Sequence, residues 1–486
     1  MELKESLCGI VGDENVSDSP EDLEPYSKDY SLTPSGMPDY VVKPKNTEEI
    51  QQVIKLANEH KTPVIPVSSA IHFYGATIPS QGGIILDLSR MNRILEVNEP
   101  DRLVRIEPGI TWEQLQSELA KLGYRCMSPL LPYSSNSVVT SWLERDVPVN
   151  PRYEYAEPLT TVEIVWPNGD VFRTGSASTP GYPDDSPSKG GNPHGPGIDW
   201  FRLIQGAQGT MGVVTWANIK FEYLPKLDKT YFIPFKAIED AVEPTYAIQR
   251  RMIGNECLIL NNLNAAIILA EKWQEDFELL RKILPEWLFI LVLSGGIRRP
   301  EEKLEYETEA LTEVCSRFPR IVEIQSSIPG AIGAEKRLPN MLRQPWPKDK
   351  TYWKHLYKGG CQDLFFITKL EKVPQFMTAV NRLAAEFDYP PDEIGRYIQP
   401  IEQGRACRCE FNFYYDPDKA TEVDKIRQLY EQIAQSLLQM NALYTRPYGI
   451  LSDLVYDRVG GYTMLLKRIK NLFDPNNIMC PGNVCF

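Results

Sequence analysis

Hydrophobic positions along this chain switch between a period of two and a period near 3.6, and the switches outline its elements. Ile50, Val53, Ile54 and Ala57 recur on one face and predict a helix over 47–59, opened by the Asn46-Thr47 cap position. A strand is predicted over 38–42 before it, and short apolar runs at 63–66 and 84–88 predict two buried strands after it. Val97, Leu103, Val104 and Ile106 then alternate as a strand pair over 95–108. Thr111, with Gln114 three residues on, opens a helix that ends at Gly123. Two runs, 160–167 and 171–174, flank Asn168-Gly169 and give the strongest hairpin signal in the chain. A helix carrying Phe201, Leu203 and Ile204 leads through Gly206, Gly209 and Gly212 into the strand Val213-Val214-Thr215.

The middle of the chain repeats the mixture. Strands are predicted over 230–235, 287–294, 364–370 and 408–415, and helices over 240–252, 273–283, 300–317 and 373–386. Alternation along Arg408-Cys409-Glu410-Phe411 predicts that one face of that strand is solvated, which argues against a catalytic Glu410. Residues 175–198 are rich in Gly, Pro, Ser and Asp and predict a long loop, functional or mobile. The pattern is α+β. It marks off 226–440 as a separate unit between 1–225 and 441–486.

At 486 residues the chain exceeds one ordinary core, which supports that division. Its net charge of −13, with no basic cluster, argues against a nucleic-acid partner. The polar, acidic start lacks the apolar core of a targeting segment. The most apolar stretch, 257–270, is interrupted by asparagines and is too short to span a bilayer. Nine scattered cysteines and four histidines show no metal-site spacing. The expectation is a reducing, cytoplasmic setting with mostly free thiols and no metal.

Candidate chemistry gathers at the small residues. After the 63–66 strand come Ser68-Ser69-Ala70 and then Tyr74-Gly75-Ala76. Such a segment lets backbone approach a ligand, and its N–H groups can form an anion-binding nest for a pyrophosphate. A plain strand–turn–strand in a core fits the same residues. The glycines from Gly206 to Gly212 again place backbone where a ligand packs closely.

Three segments and an ending occur in a fixed order. Pro66-Val67-Ser68-Ser69-Ala70-Ile71-His72-Phe73-Tyr74-Gly75-Ala76 has the length of a P-x-G-G-G-T-S-x-x-G-A loop with its glycines replaced. Next comes the 128–141 loop, SPLLPYSSNSVVTS. Gly206-Ala207-Gln208-Gly209-Thr210-Met211-Gly212-Val213-Val214-Thr215 follows G-S-x-G-T-L-G-I-V-T, and Asp474-Pro475-Asn476-Asn477-Ile478-Met479-Cys480-Pro481-Gly482 follows D-P-x-x-I-x-x-P-G. Over about 40–225 and 440–486, the chain resembles the flavoenzymes of the vanillyl-alcohol oxidase / p-cresol methylhydroxylase family.

That resemblance implies a two-part FAD-binding domain with an inserted α+β substrate, or cap, domain. It implies FAD contacts from Pro66, Val67, Ser68, Ser69, Ala70, Ile71, His72, Gly75 and Ala76. Further contacts are implied from Pro129, Ser134, Ser135, Ser137 and Val138, and from Gly206, Gly209, Thr210, Gly212, Val213 and Val214. It also raises covalent flavin attachment through His72. The implied activity is hydride removal from an alcohol, a 2-hydroxy acid or a para-alkylphenol, a small-molecule substrate in each case. Electrons then pass to oxygen or to a protein partner.

The GDGNxH motif of the lactate and glycolate branch is absent, and Tyr444, Arg446 and Tyr448 cluster where the phenol-oxidising branch has a Tyr-Arg pair. Both point toward aryl substrates. Arg446 would clamp a carboxylate or phenolate, and the tyrosines would stabilise developing charge; a turn and buried interface tyrosines account for the same residues. His355 is a candidate base, Arg405 is a candidate pocket residue beside Glu402, and each has an ordinary surface or core alternative. The replaced glycines reduce backbone freedom, which leaves a non-catalytic relative with weakened flavin binding as an alternative. The residues leave open whether the chain forms a homo-oligomer.

Overall fold

A 14-residue helix, Thr47–His60, sets up the first layer. The Asn46 side chain accepts from Glu49 N–H at 2.9 Å, and Lys61, at φ 52°, ends the helix left-handed. Its apolar face is buried, and the chain crosses over it between parallel strands. The four-stranded sheet runs Val16–Ser17, Tyr40–Val42, Ile84–Asp87, Val64–Val67. Gly83 turns into its central strand at φ 95°, where a Cβ would lie 2.4 Å from the Pro63 carbonyl oxygen, so a side chain is excluded there. The computed structural model describes residues 3–69, 71–153, 157–179 and 191–486. Ala70 and residues 180–190 of the predicted 175–198 loop therefore lie outside the described residues.

A second, six-stranded sheet is organised by Val213–Tyr223, which pairs antiparallel with Leu103–Ile106, Leu159–Val165 and Tyr124–Cys126. The Asn168-Gly169 turn joins Leu159–Val165 to Val171–Arg173. Thr111 and Gln114 form a reciprocal capping box on the helix Trp112–Lys121.

The third sheet holds six antiparallel strands in the order Leu227–Phe235, Trp287–Gly295, Glu256–Asn261, Ile394–Ile401, Ala406–Tyr415, Gly360–Thr368. Separate apolar clusters cover its two faces. The apolar stretch read as 257–270 is a buried strand that turns at Asn261 into the helix Asn262–Leu269. The Asn261 side chain caps that helix by accepting from Asn264 N–H at 3.2 Å.

Coverage of both faces overturns the expectation of a solvated side at Arg408 and Glu410. Both are buried, at 7% and 2% exposure. Lys354 Nζ donates to Asp363 and, at 2.6 Å, to Glu410; Arg408 donates to Glu410 at 2.5 Å, and Asn412 Nδ2 donates to both acids. Burial opposes the charge of Glu410, but Lys354 and Arg408 outweigh it and hold its carboxyl well below the ordinary range. For Asp363 burial wins, with the Glu410 charge adding to it, and its carboxyl is raised.

The C-terminus closes back on the first sheet. Val64 N–H donates to Ile478 O at 2.7 Å and Cys480 N–H to Val64 O at 3.0 Å. Buried Lys470 donates to Asp474 at 2.6 Å, Thr210 O at 2.7 Å and Met479 O at 2.9 Å, tying the ending to the glycine segment. Among the described residues no helix is long and apolar enough to cross a membrane.

Candidate functional site

A cavity opens where the end of strand Val64–Val67, the short helix Val138–Leu143, the Ala207–Gly212 segment and residues Arg446 and Tyr448 converge. The hydroxyls standing in for glycines hold its wall together. Ser68 Oγ and Thr140 Oγ1 share a hydrogen bond of 2.5 Å, and Ser69 Oγ accepts from Ser137 N–H at 2.8 Å. Ser137 Oγ in turn caps the helix by accepting from Thr140 N–H at 3.1 Å. Among the described residues, the N–H groups of Ile71, His72 and Phe73 find no acceptor in the chain. They remain free to bind an anion. Across the cavity, Gly209 sits at φ 76°, and a Cβ there would lie 2.8 Å from Cys480 Sγ.

The other end of the cavity is charged. Arg446, 3% exposed, donates from Nη1 to Asp146 Oδ1 at 2.7 Å, and the Tyr448 hydroxyl donates to Glu144. Burial works against the Arg446 charge, but Asp146, with help from Tyr448, Tyr74 and Glu144, outweighs it and holds the guanidinium above its ordinary value. Burial raises the Glu144 carboxyl, opposed by the Tyr448 hydrogen bond and Arg446. Burial likewise raises Tyr448 well above its ordinary value, and Tyr74 is pushed up to about 12 by burial and Asp363. The Tyr74 and Tyr448 rings stack at 4.9 Å.

These three residues, Tyr74, Arg446 and Tyr448, also line a second cavity of about 230 Å³. Phe365, Tyr430 and Asp363 form its inner wall. The Arg446 guanidinium stands 4.3 Å from the centre of the Phe365 ring, and Arg408 stands 4.1 Å from it.

Of the expected cofactor contacts, the structure brings Pro66, Ser68, Ser69, Ile71, His72, Ala76, Ser137, Gly209, Gly212 and Val214 to the first cavity. Val67, Gly75, Pro129, Ser134, Ser135, Val138, Gly206, Thr210 and Val213 stand outside its lining, and Gly206 and Thr210 face a different cleft. Arg446 and Tyr448 are at the cavity. Tyr444 is not: its hydroxyl donates to Ala434 O at 3.1 Å, and its ring packs on Phe366. His355 lies in an aromatic cluster, 4.6 Å from the Tyr30 ring, and burial plus the Lys354 charge pushes it down to about 4. Arg405 is exposed and lies away from both cavities. Sequence reasoning missed Glu144 and Asp146. The signal available was a pair of acids two residues apart, just after a helix of apolar and small residues.

The polar groups fit a bound dinucleotide. His72 Nε2, Asn136 Oδ1 and Arg446 Nη2 belong to residues lining the cavity, are shielded from water and have no partner among the described residues. Buried polar atoms left so are costly unless a ligand meets them. The free N–H groups beside His72 suit a pyrophosphate.

Comparison with known proteins gives the same answer. The family described as an FAD binding domain matches residues 38–175, and the C-terminal domain of FAD linked oxidases matches 368–484. The chain belongs to the FAD-linked oxidoreductases of the p-cresol methylhydroxylase type. Its cofactor is FAD. Within this family the chain is 23% identical over 497 residues to the glycolate oxidase subunit GlcD of Bacillus subtilis, covering 99% of this chain and 96% of that one. It is 28% identical over 273 residues to the 4-cresol dehydrogenase flavoprotein subunit of Pseudomonas putida, covering 54% and 50%. The crystal structure of p-cresol methylhydroxylase with substrate bound superposes with a TM-score of 0.86 at 20% identity, covering 100% of this chain and 96% of that one, which shows the shared fold.

Proposed function

We propose that this FAD-linked oxidoreductase oxidises a small aromatic substrate at a benzylic or alcohol carbon, held at the junction of the two cavities. The observation that supports this most is the arrangement of Arg446, Tyr448 and Tyr74, which line both cavities beside Glu144 and Asp146. FAD, bound in the first cavity, supplies the hydride acceptor. The chain's residues do the rest. Phe365, Tyr430 and the stacked Tyr74–Tyr448 pair offer an aromatic slot, and Arg446 offers a guanidinium to a phenolate or other anionic group. Glu144, raised by burial, takes up the substrate proton in step with hydride loss.

A 2-hydroxy acid is the second reading. It is supported by the full-length likeness to the glycolate oxidase subunit and by the carboxylate-binding geometry of arginine. Anaerobic mixing with a 4-alkylphenol and, separately, with a D-2-hydroxy acid decides between them by which one bleaches the flavin. Under this proposal the covalent route through His72 leaves the yellow colour in an acid-precipitated pellet, and a non-covalent site releases it to the supernatant. The inserted unit, proposed at 226–440, supplies the substrate side, and residues 1–225 with 441–486 supply the FAD side.

A further inference from the structure

A third cavity, of about 530 Å³, lies behind the redox site and has no part in the chemistry above. Two walls separate it from the first cavity, and each is one segment thick. In one wall Ala207 and Met211 line both spaces. In the other, Arg446 and Tyr448 face the redox cavity, whereas Thr445 and Pro447 face this one. Gln208 Nε2 donates to Pro447 O at 2.7 Å and stitches the walls together. The lining is mainly apolar, from residues such as Val455, Leu466 and Ile469, and its polar members include Tyr456, Arg145, Arg202, Gln205, Thr210 and Thr445. No hydrogen bond occupies the Tyr456 hydroxyl among the described residues, and burial pushes it above its ordinary value. The mouth lies at Val459 and Tyr462, 39% and 59% exposed, beside the exposed Met464, Leu465 and Leu472 of the helix Gly460–Phe473.

We propose that this cleft binds a quinone, the two-electron acceptor that returns the reduced cofactor to FAD. The inference rests on the proposed flavoenzyme function. A flat apolar ring fits the lining, and its two carbonyl oxygens are acceptors for the Tyr456 hydroxyl and the Arg145 guanidinium. A cleft of about 530 Å³ is of the size that admits a small ring. The apolar mouth suits an oxidant that partitions into lipid. The balance is complete: the quinone takes two electrons and two protons and becomes a hydroquinone, and FADH2 becomes FAD.

The test reduces the flavin photochemically without oxygen, so it needs no knowledge of the substrate, and then mixes the protein with a short-chain benzoquinone or with ferricyanide. Val459→Trp blocks the mouth, and Tyr456→Phe removes the donor while keeping the ring. The expected results are saturable reoxidation by the quinone, a roughly tenfold or greater loss in Val459→Trp, a roughly three- to tenfold loss in Tyr456→Phe, and unchanged rates with ferricyanide. A second readout is independent of turnover: an azido-benzoquinone should photolabel residues 455–466 in both FAD-loaded and FAD-stripped protein, and Val459→Trp should abolish the label. Labelling elsewhere, or quinone rates equal in all three proteins, overturns the proposal. Protein with no flavin absorbance would instead contradict the flavoenzyme function, which keeps the two failures apart.

Discussion

Arg446 Nη1 lies 2.7 Å from Asp146 Oδ1, joining groups 300 residues apart across the redox cavity. With Tyr448 and Glu144 alongside, it forms two donor–acceptor pairs that tie the C-terminal segment to the chain just after the helix Val138–Leu143. Removing the arginine leaves Asp146, whose side chain is 24% exposed, without its cation, at about 1–3 kcal/mol. Arg446→Ala is therefore expected to lower stability by about that amount in urea titration, and to reduce kcat/KM by roughly 100-fold or more with any active substrate. Arg446→Lys should recover part of the stability and little of the activity, because lysine cannot reproduce the planar fork.

Glu144→Gln keeps the shape of the carboxyl and removes its proton affinity. The expected result is a fall in kcat of about 100- to 10,000-fold, with flavin content and thermal unfolding close to those of the parent. The acid limb of the pH–rate profile should disappear with it. Because burial raises Glu144, that limb in the parent should lie above the ordinary glutamate value of 4.5.

Gly209→Ala tests the cofactor wall. The residue sits at φ 76°, with Cys480 Sγ 2.8 Å from an added Cβ. Reduced flavin occupancy in the purified protein, read as the ratio of visible to ultraviolet absorbance, is the expected outcome. Excess FAD during refolding should restore part of it by mass action.

His355 is expected to make the folded state sensitive to acid. Burial and Lys354 push it from the model-compound value of 6.5 down to about 4. The unfolded chain then binds more protons than the folded one between those values, so stability is constant above about 6.5 and falls as pH drops toward 4. The loss attributable to this residue is on the order of 2 kcal/mol, allowing for its partial exposure. His355→Phe, which keeps a ring beside Tyr30 and Tyr352, should flatten that slope in urea titrations across the same range.

Lys354 bridges Asp363 and Glu410 inside the third sheet. Lys354→Met leaves two acids close together with Arg408 as the nearby cation, and a cost of about 3–5 kcal/mol is expected in the same assay. The double variant Lys354→Met with Asp363→Asn should recover much of it.

Local signals were legible where the physics is local. The Thr111/Gln114 capping box and the Asn168-Gly169 hairpin stand where the sequence places them, because each is decided within a few residues. The family fold was legible from the order of the glycine and small-residue segments. Partners at long range were not. Nothing near Glu144 or Asp146 announces Tyr448 or Arg446. Alternation at Arg408-Glu410 cannot distinguish a solvated face from one filled by Lys354, Asp363 and Asn412. Tyr444 shares parity with Arg446 and Tyr448, but bends at 445–446 break the two-residue period and turn it into the core behind the cavity.

The central claim is that Arg446, Tyr448 and Glu144 present an aromatic substrate to bound FAD. Anaerobic stopped-flow mixing of the purified yellow protein with a panel of 4-alkylphenols and benzylic alcohols tests it most directly. Rapid, saturable bleaching of the oxidised flavin bands, lost in Arg446→Ala and slowed in Glu144→Gln, is the predicted result. Bleaching by D-2-hydroxy acids with none by any aryl substrate would contradict it.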